Sequence, residues 1–331
     1  MTAPGDSYVL IAGQGRSGTN WILDILDLCE NTWCRNEPNE LINSAMASLA
    51  DGALIDSGFF PDIDAWTEAI RKTGGSFGDR DRVGKESKNY YRASICRHLV
   101  QFIYDKPRVR KPLKSVFSHF ELDEWVIPRF LLNDIQRNNR LTIIKVNQMP
   151  AWSRFVLDKD SNGKVIHIVR HPGGFLNSWK NRYLRQMSSD VVLLENRTRL
   201  ERLADLSETW RKRMGDINQM SIPEMELWYW LYANEETYLG GLKNSRYKLV
   251  VFEKLAGDFK NEVKDILDFS TLNISKEQEK EMFKLGDNSI SISDGWKQSL
   301  STEEKSLVER ILNNSELSSF WPADGDTSNS F

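Results

Sequence analysis

The sequence has few of the residues that build disulfide frameworks or metal sites. Its 331 residues include only 3 cysteines and 4 histidines. Cys29 and Cys34 have no histidine beside them in the sequence, so neither a disulfide framework nor a zinc site is predicted, and buried thiols are the simpler interpretation.

Long apolar runs and a strong charge bias are also missing. No run reaches the roughly 18 residues of a membrane span, and no signal peptide precedes the first strand-like segment, so the sequence predicts a cytoplasmic protein that does not bind membranes. A removed anchor would leave no trace in it. The net charge of −3 argues against broad nucleic-acid binding, although a local basic pocket remains possible. The oligomeric state stays open.

What is present indicates an α/β fold. Four short apolar runs are typical of buried parallel strands: Tyr8–Ala12, Leu141–Val146, Lys164–Val169 and Tyr247–Phe252. Helical segments separate them, including long helices predicted over Thr198–Met214 and Glu224–Leu242. The expected architecture is a parallel central sheet flanked by helices, a three-layer sandwich like that of the P-loop NTPases.

The chain length favours one domain over residues 1–331, built around a core of residues 7–38 and 141–312. Residues 39–140 are rich in aromatic residues and are predicted to form a long, mostly helical insertion. Such a region usually covers the carboxyl edge of the sheet, so we expect it to form a lid over the acceptor. Residues 322–331 are small, polar and acidic, and are predicted to be a flexible tail.

The most informative segment is LIAGQGRSGTNW, residues 10–21. A strand, a glycine-rich turn and a helix start bring backbone N–H groups together at the positive end of a helix dipole, which suits a phosphate-like anion. Gly13 and Gly18 have the spacing of a Walker A loop, but Thr19 stands where that motif has lysine. The positive charge that lysine supplies in the Walker A motif is supplied here by Arg16, which lies inside the loop. This exchange argues against a nucleotide kinase or NTPase.

A second anion-binding element follows the strand at Lys164–Val169. Arg170 leaves the carboxyl end of this strand, and Ser178 lies eight residues later on the next predicted helix. An arginine and a hydroxyl placed in this way can both reach a second phosphate. Taken alone, the pattern is more simply explained by a surface arginine and a helix-interior serine; beside the first loop, that explanation loses weight.

The two elements together resemble the sulfotransferases that use 3′-phosphoadenosine 5′-phosphosulfate (PAPS). The family loop G-x-x-R-S-G-T-[TN]-W is matched by residues 13–21. The family element V-R-[DN]-P is matched by residues 169–172, with His171 in place of Asp or Asn, and Ser178 follows at the family spacing. Later segments, Glu253-Lys254-Leu255 and Gly295-Trp296-Lys297, are similar to its Y-E-D-L and G-x-W-[RK] segments.

This resemblance implies transfer of a sulfuryl group from PAPS, leaving 3′-phosphoadenosine 5′-phosphate (PAP), with no metal required. It assigns donor binding to Gly15, Arg16, Ser17, Gly18, Thr19, Asn20 and Trp21, to Arg170 and Ser178, and to Gly295, Trp296 and Lys297. Trp21 either flanks the nucleotide or packs in the core. The segment at Trp296 is expected to close over the adenosine.

The resemblance also implies a catalytic group. Glu37, after the first helix and on the family's second strand, matches the general base of tyrosylprotein and some carbohydrate sulfotransferases; a solvated loop acid is the alternative. Pro38 is expected to hold Glu37 extended. Asn147 stands where cytosolic sulfotransferases carry a basic histidine, which favours Glu37. Arg16 and Lys145 are the candidate cations at the breaking bond, with an edge salt bridge as the alternative for Lys145.

Other residues keep open assignments. Lys85 and Lys88 either gate the nucleotide or form a solvated turn, and Glu253 is the nearest candidate for a magnesium-binding acid, although a structural ion pair is simpler. His98 and His119 have no assigned role. The acceptor is predicted to be a hydroxyl or amine of a small-molecule natural product or glycan. The competing functions are a kinase or NTPase and a non-catalytic nucleotide-binding module.

Overall fold

The computed structural model describes residues 7–37, 88–106, 108–109, 129–135, 140–148, 150–286 and 293–322. The strands are β1 (Tyr8–Gly13), β2 (Thr32–Asn36), β3 (Leu141–Lys145), β4 (Gly163–Val169) and β5 (Tyr247–Val251). The helices are α1 (Thr19–Asp27), α2 (Ser94–Asp105), α3 (Pro150–Asp158), α4 (Pro172–Trp179), α5 (Ser189–Leu206), α6 (Glu208–Met214), α7 (Ile222–Gly241), α8 (Phe252–Gly257), α9 (Phe259–Ser270), α10 (Lys276–Lys284), α11 (Trp296–Ser299) and α12 (Thr302–Asn313). A π-helical turn, Lys180–Leu184, follows α4, and 3-10 turns lie at Arg129–Leu131, Ile217–Gln219 and Ser318–Phe320.

The five strands form one parallel sheet in the order β2-β3-β1-β4-β5. Strand β1 lies between β3 and β4, with Leu10 opposite both Ile144 and Val165. The carboxyl ends of β1, β3 and β4 therefore meet at one edge, and this edge carries the loops that hold the predicted site.

Helices cover both faces of the sheet, which confirms the three-layer α/β prediction. Apolar residues of α1, α9 and α10 pack with Val9 and Ile11 on one face, and residues of α3 pack with Tyr8 and Leu10 on the other. Helix α7 packs against α3 and buries side chains around most of its circumference. Its burial on nearly all sides places the helix in the interior, and the predicted packing role of its aromatic residues agrees with this position.

One detail of the predicted elements is wrong. The segment Thr198–Met214 is not one helix: α5 ends at Leu206 and α6 starts at Glu208. Ser207 between them is extended, and its hydroxyl accepts from the backbone N–H of Trp210 at 3.4 Å. A serine that caps a new helix in this way competes with continuation of the first one. Strand β2 escaped the search for apolar runs because its sequence, TWCRN, is largely polar.

The insertion is described only in part. Within residues 39–140 the structure has α2, the turn at Arg129–Leu131 and an isolated antiparallel bridge between Tyr91 and Leu132. Most of the predicted lid, and residues 323–331 of the predicted tail, lie outside the described residues. The lid and the domain divisions stay predictions.

Arg246 joins α3 to the amino edge of the sheet. Its Nη1 donates to the carbonyls of Val156, Asp160 and Gly163 at 2.9, 2.6 and 2.7 Å, and its Nη2 donates to the carbonyl of Leu157 at 2.5 Å. A cation at a helix C-terminus satisfies carbonyls that have no partner within the helix and complements the helix dipole. This contact is structural and lies at the edge opposite the predicted site.

Candidate active site

The loop between β1 and α1 packs too tightly for side chains at its two framing glycines. A Cβ on Gly13 would lie 2.6 Å from the Ile168 carbonyl oxygen, and one on Gly18 would lie 2.8 Å from Cδ2 of Phe252. Gly18 has a φ of +98° and caps α1 without a side-chain hydrogen bond to its first turn. The positive end of α1 therefore opens onto the loop without a side-chain cap of its own, as an anion-binding helix start requires.

The buried hydroxyl of Ser17 in this loop fits an anionic ligand. Ser17 is fully buried, and its Oγ has no hydrogen-bond partner among the described residues. Its backbone N–H donates to the Gln14 carbonyl at 3.1 Å, which closes the turn. A buried hydroxyl without a partner is costly, and a phosphate or sulfate oxygen would satisfy it. The residues present thus fit a phosphate-bearing ligand.

Arg16 joins the two anion-binding elements. Its Nε donates to Oγ of Ser178 at 3.0 Å, and its backbone carbonyl accepts from Nη1 of Arg170 at 3.2 Å. Arg16 has a φ of +74°, a left-handed conformation that costs a non-glycine residue about 1 kcal/mol. The elements meet because β1 and β4 are neighbours and the chain leaves both strands at the same edge.

Arg170 is a buried cation. Only 6% of the residue is exposed, and its guanidinium carbon lies 4.5 Å from the centre of the Phe252 ring. Burial lowers the pKa of Arg170 from its usual value, while nearby Glu253 acts to raise it. A Cβ on Gly174 would lie 2.8 Å from Nε of Arg170, so this glycine leaves the space that the guanidinium uses.

Glu37 and Lys145 form a buried ion pair at the ends of β2 and β3. Lys145 Nζ donates to Oε1 of Glu37, and the two residues are 1% and 6% exposed. The backbone N–H of Glu37 donates to the Lys145 carbonyl at 2.8 Å. The β2–β3 register, with Asn36 opposite Lys145, brings the pair together. The structure thus contains the salt bridge that was the alternative for Lys145.

Asn147 links this pair to the donor loop. Its Nδ2 donates to Oε1 of Glu37 at 2.6 Å, and its Oδ1 accepts from Oγ1 of Thr19 at 3.0 Å. The sequence drew attention to Asn147 only as a missing histidine. The amide can donate and accept at once, and so connects the carboxylate of Glu37 to the first residue of α1.

The expectation that Glu37 is extended is wrong. Its φ is +51°, in the left-handed region. Proline disfavours the helical conformation of the preceding residue, but the carboxylate contacts with Lys145 and Asn147 accompany a left-handed turn here. These contacts offset a backbone cost of about 1 kcal/mol.

His171 and Trp296 pack beside Arg170. The His171 ring stacks on Trp296 with centroids 4.4 Å apart and meets the edge of Trp321 at 5.5 Å. The backbone N–H of His171 donates to Oε1 of Glu253 at 3.0 Å, and Nε1 of Trp321 donates to Oε2 of the same carboxylate at 3.0 Å. Glu253 therefore braces the start of α4 and the chain near its end. Burial raises the pKa of Glu253.

The other predicted donor-binding residues have mixed positions. Trp21 stacks on Phe259 at 5.2 Å, and its Nε1 donates to the Leu285 carbonyl at 3.0 Å, so in this structure it packs against α9. Asn20 is exposed at the first turn of α1. Gly295 precedes α11, and the exposed Lys297 pairs with Asp294 at 3.3 Å. Nucleotide contact by these residues stays a prediction.

Lys88 binds the turn between α1 and β2. Its Nζ donates to the carbonyl of Cys29, and to the carbonyl and Oγ1 of Thr32 at 2.7 and 2.6 Å. This structural contact replaces both the nucleotide-gating and the solvated-turn interpretations of Lys88. His98 is exposed on α2. Lys85 and His119 lie outside the described residues.

Two buried histidines predict an acid-sensitive fold. Burial lowers the pKa of His167, bonded to Tyr247 and Asn234, and of His171 from 6.5 to about 4. Between these values the unfolded chain binds protons that the folded chain does not, so stability is complete above pH 6.5 and falls as the pH drops toward 4. Each histidine contributes up to about 1.4 kcal/mol per pH unit in this window.

Chemical denaturation between pH 4.5 and 6.5 measures this slope. His171 caps α4, because its Nδ1 accepts from the backbone N–H of Gly173 at 3.1 Å. The variant His171→Asn keeps a capping side chain and should reduce the slope by about one proton. The raised pKa of Glu253 acts in the opposite direction in both proteins, so the difference between them isolates His171. Equal slopes would show that His171 does not titrate as stated.

None of the helices in the part of the chain that the structure describes has the length and the apolar character that a membrane span requires. Within the same ranges, no three His, Cys, Asp or Glu side chains are grouped so that they could hold a metal ion.

Comparison with known proteins identifies a family. The family model described as "Sulfotransferase domain" matches residues 6–287. The sulfotransferase domain of the curacin biosynthetic pathway is 14% identical, with a TM-score of 0.45 over 93% of this chain and 96% of that one. A mouse sulfotransferase complexed with PAP is 10% identical, with a TM-score of 0.40 over 95% and 88%. The sulfotransferase STF9 from Mycobacterium avium is 12% identical, with a TM-score of 0.42 over 94% and 76%. No curated protein matches the chain.

Proposed function

Because the chain belongs to the sulfotransferase family, we propose that it transfers a sulfuryl group from PAPS to a hydroxyl or amine of a small-molecule natural product or a glycan. The observation that supports this best is the meeting of two anion-binding elements at Arg16, which contacts both Ser178 and Arg170. One anion site would suit many phosphate ligands. Two joined sites suit a nucleotide that carries phosphate at both its 3′ and 5′ positions.

The proposed donor site divides between the two elements. The N–H groups of the loop and the Ser17 hydroxyl hold the 5′ side, and Arg170 with Ser178 holds the 3′-phosphate. Gly295, Trp296 and Lys297 close over the adenosine. When bound, PAPS supplies the sulfuryl group. Arg16 and Lys145 stabilise negative charge on the leaving oxygen, because cations that the protein holds in place act with little reorganisation.

Glu37 is the proposed general base. Its carboxylate removes the proton of the acceptor hydroxyl or amine as the nucleophile attacks sulfur, and the leaving PAP takes the electron pair of the broken S–O bond. Lys145 and Asn147 hold the carboxylate in place through their bonds to Oε1.

A donor assay tests the proposal. Calorimetry with PAP should show binding. In a second experiment, ³⁵S-labelled PAPS is offered together with a panel of phenols, polyols and oligosaccharides. At least one of these acceptors should become labelled without added metal and in the presence of EDTA. Absence of PAP binding would overturn the donor assignment. Magnesium-dependent ATP turnover would favour the kinase or NTPase alternative, and PAP binding without transfer to any acceptor would favour the non-catalytic module. We propose that the reaction takes place in the cytoplasm.

A further inference from the structure

A buried polar cluster lies behind the donor loop, on the face of the sheet covered by α7. Gln14, in the loop itself, is fully buried, and Glu226 of α7 is 1% exposed. Nε2 of Gln14 donates to Oε1 of Glu226 at 3.4 Å. A carboxylate is thus buried against a loop that has the geometry to bind anions. A lone negative charge in that place would oppose an anionic ligand.

Arg199 of α5 supplies the opposite charge. Its Nη2 donates to Oε2 of Glu226 at 2.6 Å and to Oδ1 of Asn196 at 3.0 Å, and its guanidinium carbon lies 3.7 Å from the centre of the Tyr229 ring. Burial acts to lower the pKa of Arg199, but Glu226, Tyr229 and Glu195 together outweigh it and the net pKa lies above the usual value. Arg199 therefore stays charged and the cluster of Gln14, Glu226 and Arg199 is neutral overall.

We propose that Arg199 is a positioning residue for the donor: it neutralises Glu226 and thereby allows Gln14 to support the anion-binding loop without a repulsive charge behind it. This inference rests on the proposed function, because the anion concerned is the donor nucleotide. The mechanism assigned above uses neither Arg199 nor Glu226. The contact also ties α5, which follows the Ser178 element in the chain, to the loop that holds Arg16.

The chain contains a matched control, a second ion pair whose carboxylate also lies on α7. Arg213 of α6 forms an ion pair with Glu235 of α7, which is 2% exposed, and its guanidinium carbon lies 4.3 Å from the Trp210 ring centre. The partners of this second pair, including the Asn314 carbonyl at 2.9 Å and the Glu316 N–H at 2.9 Å, belong to the end of the chain and not to the donor loop. Both pairs share burial, residue types and an aromatic contact.

The experiment compares Arg199→Met with Arg213→Met in the full chain by calorimetry with PAP. Both variants lose a buried cation and both should be less stable. Only Arg199→Met should bind PAP more weakly, by about tenfold, because it leaves the Glu226 charge uncompensated beside the loop. Adding Glu226→Gln to Arg199→Met removes that charge and should restore the affinity to within about threefold of the wild type.

Equal PAP affinities for the two methionine variants, or no recovery in the double variant, would overturn the inference. If Arg199→Met does not fold, the variants Arg199→Lys and Glu226→Gln test the inference instead. Each of them should keep at least about one third of the wild-type affinity for PAP. A larger loss of affinity in either variant contradicts a charge-based role. A wild-type protein that does not bind PAP at all is a different outcome, which refutes the proposed function itself.

Discussion

Replacing Arg170 with methionine should weaken PAP binding by about 100-fold, the largest effect on binding that we expect from a single substitution. Arg170 combines burial, a ring contact with Phe252 and a bond to the Arg16 carbonyl, so its charge is held at the place where the second phosphate is proposed to bind. Methionine keeps much of the apolar volume and removes the charge. Calorimetry with PAP, performed on folded protein, measures the loss.

Arg246→Met is the matched control for this prediction. Like Arg170, Arg246 donates from its guanidinium to backbone carbonyl oxygens, but it lies at the amino edge of the sheet. Its replacement should lower the free energy of unfolding, since the carbonyls at the end of α3 lose their donor, and should leave PAP affinity within about twofold. If both variants lost PAP affinity to the same degree, the effect of Arg170 would be one of general stability.

Replacing Glu37 with glutamine should lower the rate of sulfuryl transfer by about 10³-fold while PAP affinity changes by no more than about threefold. Glutamine keeps the shape of the side chain and an oxygen for Lys145 and Asn147, but it cannot take a proton at neutral pH. The measurement is the turnover of labelled PAPS with saturating acceptor, together with calorimetry on the same preparation.

Glu235→Gln controls for the loss of a buried ion pair. Glu235 is as buried as Glu37 and is also held by a cation, but it lies on α7 with partners near the end of the chain. Its replacement should leave turnover per folded molecule unchanged. Wild-type turnover in Glu37→Gln would remove Glu37 as the base, and a parallel fall in PAP affinity and turnover would assign it a role in donor binding instead.

Much of the fold could be predicted because its signals are local. An apolar run followed by glycines and a helix start is written in consecutive residues, so β1, the donor loop and α1 could all be placed from the sequence. The spacing of Arg170 and Ser178 was local in the same way. Their convergence on Arg16 needed only the rule that parallel strands end at a common edge.

The parts that were missed depend on contacts between distant segments. The left-handed turn at Glu37 follows contacts with Lys145 and Asn147, which are more than 100 positions away. The same holds for the contact between Gln14 and Glu226, which are 212 positions apart. Neither pairing leaves a pattern in adjacent residues. The break at Ser207 is a different case, since a serine before a helix start is a local capping signal that helical periodicity had outweighed.

The pairing of β1 with β4 has a consequence for how the protein acquires its ligand site during synthesis. Gly13 and Ile168 are partners in this register, so the two halves of the site are separated by some 150 residues of chain. Contacts of such sequence separation form late, because a long loop must close before they are gained. A nascent chain that has emerged only as far as β3 holds the donor loop but lacks Arg170 and Ser178, so both anion-binding elements are present only once synthesis has passed α4.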